Sequence, residues 1–335
     1  MLVYGLVFGV FIINAFMNDK STKHMNLVVY VFFILLFSLR NSIGTDWVAY
    51  KDYFDNFSTS VIEVYKFEIG YELLNSVTHW LFTSFWTLVF VVGIFNGVLF
   101  WKATSKHTKN IGIVMLLSLY YIFYPSLEAF RQSICLILFY YSLEYIEKDE
   151  KKYLLINLIG LLFHRSVLIA LIFYAFNKNN KLRILIVTVA IFFKEFETVF
   201  SKIFKFFPTL NIKYEYYFNN TTNISSIFTL KLLEYSLMLL LYFYLYKKKS
   251  LDNHEKVVFN LVFLGFSLQI ALTQISDIIY RMTYYTDIGM MLCYVFIYDR
   301  IKGSLFKYFY IVFLIIYVFL RLYRIFPFYD PRFMY

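Results

Sequence analysis

Of the 335 residues, 60% are apolar and 16% are charged, with 41 Phe and 32 Tyr. Soluble domains carry nearer a quarter charged residues, so a water-soluble globule is excluded; the chain has too much apolar surface to hide. The net charge of +10 is gathered in short loops between apolar runs, the positive-inside pattern of a membrane protein rather than a groove that tracks nucleic acid.

A helix that crosses a bilayer needs about 20 mostly apolar residues, and fewer where its ends snorkel. The first run, 2–17, lacks a basic leader and a small-residue cleavage site, and reads as a retained span rather than a signal peptide. The second, 25–39, closes at Arg40 and opens the segment 40–84. Within it Thr45 is placed to cap a helix that carries Tyr50, Tyr53, Phe54 and Phe57 at helical spacing. A further helix over 68–82 aligns Glu68, Glu72, Asn75 and His79 on one stripe. Spans follow at 85–101, 111–124 and 126–146, the last after Pro125.

The stretch 154–176 is apolar but interrupted by His164, and 182–200 is a further embedded region. In the segment 194–226, residues 195–207 predict an amphipathic interfacial helix. Its apolar face is Phe196, Val199, Phe200, Ile203, Phe204 and Phe207; Glu195, Glu197, Lys202 and Lys205 lie opposite. The remaining spans are 227–246, 257–275, 282–298 and 304–322. The fold class is therefore all-α, a polytopic transmembrane helix bundle of about 10–12 spans. We read 1–335 as a single integral membrane domain, with 40–84 and 194–226 as helical segments on its outer face.

The basic loops set orientation. Lys20 with Lys23, Lys102 with Lys106 and Lys109, Lys148 with Lys151 and Lys152, Lys247 to Lys249, and Arg300 with Lys302 share one side only if 154–200 crosses an odd number of times. Either 154–176 breaks at His164 into two half-helices and 182–200 spans, or 154–176 spans and 182–193 dips in. The first also places Lys178, Lys181 and Arg183 in the cytoplasm and is preferred.

An ionisable residue within a span is costly and marks a candidate site. Arg131 lies in the span 126–146 with Glu128 on the same face. It reads either as a structural pair with Glu128 or as a phosphate clamp, because a guanidinium stays charged at depth and binds phosphate oxygens bidentately. Arg281 has Asp277 and Tyr285 each one helical turn away, and Arg40 closes a helix end. His164, followed by Arg165 and Ser166, reads either as a satisfied core residue or as part of a broken helix lining a cavity. Asn260, Ser267 and Gln274 recur every seven residues and predict hydrogen bonds between helices, and Lys231 with Glu234 predicts a local pair.

Cys135 and Cys293 lie in apolar runs, so neither a disulfide framework nor a metal cluster is expected. The chain has no Walker loop, no G-x-G-x-x-G and no D-x-D. No nucleotide cofactor or metal-bound nucleotide sugar is implied, and energy for any reaction comes from the substrate or an ion gradient.

In order along the chain stand Arg40-x3-Gly44-x-Asp46-x3-Tyr50, Glu68-x-Gly70-Tyr71, Arg131-Gln132-Ser133, Phe163-His164 with Ser166, Arg281-x2-Tyr284-Tyr285, and Pro327 with Tyr329. This series resembles the EpsG/Wzy family of bacterial polysaccharide polymerases over essentially the whole chain. The resemblance implies a glycosyltransferase at the outer face of the bacterial inner membrane. It would join undecaprenyl-diphosphate-linked repeat units into an O-antigen, capsule or exopolysaccharide, with undecaprenyl diphosphate leaving. No cofactor or metal is implied. The implied partners are the lipid-linked donor and acceptor, the bilayer, a chain-length regulator and a flippase, but no nucleic acid. On this reading Arg131 and Arg281, with Arg40, hold the donor diphosphate, and Tyr71 and Tyr285 complete the substrate surface. Asp46, Glu68 or His164 orients or deprotonates the acceptor hydroxyl. The alternatives are a lipid-oligosaccharide flippase or other transporter, and another polyprenyl-linked glycosyltransferase or ligase, for which Asp46, Asp52 and Asp55 supply first-loop acids.

Overall fold

The computed structural model describes residues 2–17, 23–38, 46–57, 67–191, 225–272 and 277–325, all helix, turn or connection. Arg40, Gly44, Thr45, the helix expected over 195–207, Gln274, Pro327 and Tyr329 lie outside them. The helices are α1 (Leu2–Phe16), α2 (Lys23–Ser38), α3 (Trp47–Asp55), α4 (Ile69–Leu81), α5 (Phe85–His107) and α6 (Ile111–Ser118). There follow α7 (Tyr124–Glu128), α8 (Phe130–Ser142), α9 (Glu150–Leu161), α10 (Leu168–Lys178) and α11 (Asn180–Ile191). The last four are α12 (Ser225–Lys247), α13 (Asn253–Leu272), α14 (Asp277–Arg300) and α15 (Ser304–Ile325).

Among the described residues, Phe85–His107, Ile111–Glu128 and Ser304–Tyr323 are long and apolar enough to cross a membrane, and Asn26–Ser38 is a shorter apolar helix. The all-α membrane architecture expected from composition is what the chain forms. Of the other long helices, α12 carries Lys231 and Glu234, and α14 carries Arg281 and Asp287.

Two compact units divide the chain, one of 1–168 with 294–335 and one of 169–293. In the first, α2 and α5 approach closely because Gly93 and Gly97 leave room for Ser38 and Ile34. Helix α5 meets α8 through a buried Asn96 Nδ2–Ser133 Oγ hydrogen bond of 2.9 Å, and α9 meets α8 through Asn157 Nδ2 to Ser142 Oγ, also 2.9 Å. Tyr121 and Tyr317 share a hydroxyl bond of 2.7 Å that ties α15 to the turn after α6. Bonds such as these satisfy polar groups that lipid would leave unpaired.

Pro125 does not open a new span, contrary to the sequence expectation. The helix from Ile111 runs on through it to Glu128, because a π-helical turn over Leu119–Phe123 precedes it. Proline has no N–H for the usual bond to the fourth residue back, and the wider turn absorbs that loss. The true break is at Ala129 (φ −130°, ψ 85°), so α8 begins at Phe130 and Arg131 stands in its first turn.

In the second unit, Arg183 is not a loop charge. Its Nε donates to the Phe176 carbonyl at 2.8 Å, its Nη2 to that of Asn177 at 2.5 Å, and its Nη1 to Asn260 Oδ1 at 3.0 Å. It closes the carbonyl end of α10. Asn260 bonds Asn177 at 2.8 Å, as its heptad position predicts, whereas Ser267 turns back on the carbonyl of Phe263 in its own helix. Lys231 forms an ion pair at 2.6 Å with Asp287 of α14, a partner in another helix that the sequence expectation did not name. Tyr235 donates to the other carboxylate oxygen at 2.7 Å, and Gly265 of α13 leaves the space that Tyr235 and Thr286 fill.

Candidate functional site

The first unit gathers much of the predicted motif series at one place. Helix α4 starts after Glu68, which takes the N-cap position with extended backbone (φ −71°, ψ 144°). Gly70 N–H donates to the Leu162 carbonyl at 2.7 Å, and a Cβ on Gly70 would stand 2.7 Å from that oxygen and from Leu162 Cβ. Only glycine permits this backbone-on-backbone approach. The approach fixes Glu68 against the chain that follows α9.

That chain breaks where the sequence predicts. Helix α9 ends at Leu161, His164 is extended (φ −162°, ψ 133°), and a 3₁₀ turn over Arg165–Val167 leads into α10. The Arg165 N–H donates to Glu68 Oε1 at 3.3 Å. The Arg165 side chain, 82% exposed, holds its Nε 4.0 Å from the same oxygen.

The other Glu68 oxygen pairs with Arg131 Nη1, and both side chains are largely enclosed at 14% and 16% exposure. This replaces the expected Arg131–Glu128 pair; a partner 63 residues away in sequence supplies the charge. The guanidinium lies over the rings of Phe67 (4.3 Å), Tyr50 (5.5 Å) and Tyr71 (5.6 Å), a cation–π box. Tyr50 packs on Tyr71 at 5.6 Å and on Phe130 at 5.8 Å, which fixes the box walls.

Helix α3 delivers the remaining acid. Its N-cap position is taken by Asp46, whose side chain makes no cap bond. Arg131 Nε donates to Tyr50 Oη at 3.2 Å, and Tyr50 Oη in turn donates to Asp46 Oδ2 at 3.5 Å. Asp46, Tyr50, Arg131, Glu68 and the chain after His164 thus form one connected network. Tyr50 is the link that sequence reasoning left off its list of site residues; its signal was the four-residue spacing from Asp46 on one helix face. The arrangement offers guanidinium groups and the N-terminal end of α8 on one side, where an anion is favoured, and a carboxylate on the other.

The inward face of α4 carries buried Tyr71, Asn75 and Thr78, while Ile69, Leu73, Val77 and Trp80 are exposed. The polar stripe predicted for this helix therefore turns inward at Asn75, and its outer face is apolar.

Arg281 and Tyr285 belong to the second unit, on α14, where Tyr285 is fully buried and Arg281 partly exposed. Sequence reasoning also missed Asp287, a lone acid within an apolar span, which was the signal that could have found it.

The family model described as the EpsG family matches residues 23–330, a stretch that includes every element of this network. The chain belongs to the EpsG family. This family is associated with polysaccharide biosynthesis in membrane proteins. No curated protein and no solved structure matches the chain.

Proposed function

We propose that this EpsG-family protein is a polymerase that transfers a growing glycan from undecaprenyl diphosphate to a hydroxyl of a second lipid-linked repeat unit, at the outer face of the bacterial plasma membrane. The observation that carries this reading is Arg131, a guanidinium enclosed by Phe67, Tyr50 and Tyr71, paired to Glu68 and set at the start of α8. A planar fork beside a helix N-terminus fits a phosphate group, and charge that builds on a leaving diphosphate is offset there without any rearrangement. The donor is already activated, so the lack of a nucleotide loop in the sequence fits as well.

Glu68 is engaged at both oxygens, by Arg131 and by the chain at Arg165, which suits it to positioning rather than to proton transfer. Asp46, reached through Tyr50, is the acid we assign to the acceptor hydroxyl. Arg281, Tyr285 and Arg40 remain sequence-based candidates for substrate binding. The lipid bilayer carries both substrates, with a flippase and a chain-length regulator as partners.

The test is a deletion strain complemented with Arg131→Ala, read as the lipid-linked glycan ladder. Single repeat units outside, with normal protein abundance and no ladder, support the polymerase. A full ladder sinks it. Loss of all repeat units from the outer face points instead to a flippase.

A further inference from the structure

We propose that His164 is a hydrogen-bond donor to the departing diphosphate, not a base, and that Ser166 is the positioning residue that makes it one. The proposal rests on the transfer reading above. Its foundation is the break between α9 and α10. The Ser166 backbone N–H donates to His164 Nδ1 at 3.1 Å, and Ser166 Oγ lies 2.7 Å from the same nitrogen. A backbone N–H only donates, so Nδ1 holds a lone pair, and the neutral ring carries its proton on Nε2. To accept a proton at Nε2, the ring would first have to move its own to Nδ1, where it would oppose the Ser166 N–H.

The backbone that carries the ring is also held. The His164 N–H bonds the Gly160 carbonyl at 3.1 Å, and Cys135 Sγ donates to that carbonyl at 3.2 Å. The next residue, Arg165, donates its N–H to Glu68, the carboxylate that holds Arg131. Among the described residues, Arg165 and Arg131 both meet Glu68 next to the break, and Asp46 joins Arg131 through Tyr50. The two guanidinium groups on Glu68 favour an anion beside the break, which a neighbouring donor serves and a base does not.

In the transfer, the acceptor oxygen bonds to the anomeric carbon and the bond from that carbon to the diphosphate oxygen breaks. The electron pair leaves on that oxygen, and the hydroxyl proton passes to Asp46. His164 keeps its proton and shares Nε2–H with the leaving oxygen.

Glutamine places an N–H near the Nε2 position but is not basic; glutamate is basic but donates nothing. In the complemented deletion strain, His164→Gln should keep at least a tenth of the polymer, while His164→Ala and His164→Glu lose on the order of 100-fold, the usual cost of a lost donor of this kind. A His164→Gln variant as inactive as His164→Ala at equal membrane abundance overturns the proposal, as does an active His164→Glu. A second measurement does not depend on activity. Nitrogen NMR of histidine-labelled protein, assigned by the signal missing in His164→Gln, should show Nε2 protonated and Nδ1 bare, with the preference weakened in Ser166→Ala. An Nδ1-protonated ring overturns the proposal. A full ladder in Arg131→Ala would instead overturn the transfer reading and leave the tautomer standing.

Discussion

At the scale of single residues, the network around Arg131 is held by geometry that only a guanidinium supplies. One side-chain nitrogen reaches Tyr50, another reaches Glu68, and the plane between them lies over Phe67. A lysine keeps the charge but not the fork. Arg131→Lys should therefore lower the polymer ladder at least tenfold at unchanged membrane abundance, a change of about 1.4 kcal/mol or more at the transition state. Glu68→Gln leaves Arg131 enclosed without its counter-charge. It should cost about 1.5–3 kcal/mol, seen as a lower melting temperature of the detergent-purified protein. Arg131 was legible in the sequence because a charge inside an apolar run stands out. Its partner was not, because a helix-local rule points to Glu128 and only the fold brings Glu68 across. Arg40 remains a sequence-based candidate.

At the scale of elements, helix ends decide what the site can be. The contact of α4 with the end of α9 depends on Gly70, where an added Cβ would meet Leu162 backbone. Gly70→Ala should push the two ends apart at a cost of about 1–3 kcal/mol, and should weaken polymerisation through the displaced Glu68. Gly9, inside α1 with nothing within 4 Å of an added Cβ, is the control; Gly9→Ala should be neutral or stabilising by up to about 1 kcal/mol in the same melting assay. The break at His164 was legible because a polar pair interrupts an otherwise apolar run. The end of the helix through Pro125 was misread, because a proline normally starts or stops a helix and the π turn that accommodates it has no sequence signature. The stripe on α4 was legible from its spacing, but the inward turn of Asn75 and the apolar outer face of that helix became clear only with its partners in place.

At the scale of the whole molecule, each unit has its own polar anchor. In the second, the Lys231–Asp287 pair, with side chains 3% and 5% exposed, joins α12 to α14. Lys231→Met alone leaves a buried carboxylate without its cation and should cost about 3–5 kcal/mol; Lys231→Met with Asp287→Leu should recover most of that loss in a melting curve. Sidedness has a direct check. Asn179, exposed between α10 and α11, is predicted to lie in the cytoplasm. A cysteine there should react with a membrane-impermeant thiol reagent only once the inner face is opened, with little background from the buried Cys135 and Cys293. Reaction from outside would sink the broken-helix topology. By itself the sequence determined the membrane environment, the helical class, the family and most of the residues in the network, because hydropathy, charge placement and motif order are local or collinear properties. Only the tertiary structure decided which charges pair, which backbone groups meet at the break after α9 and which motif residues share one unit, because those depend on backbones brought together from distant parts of the chain.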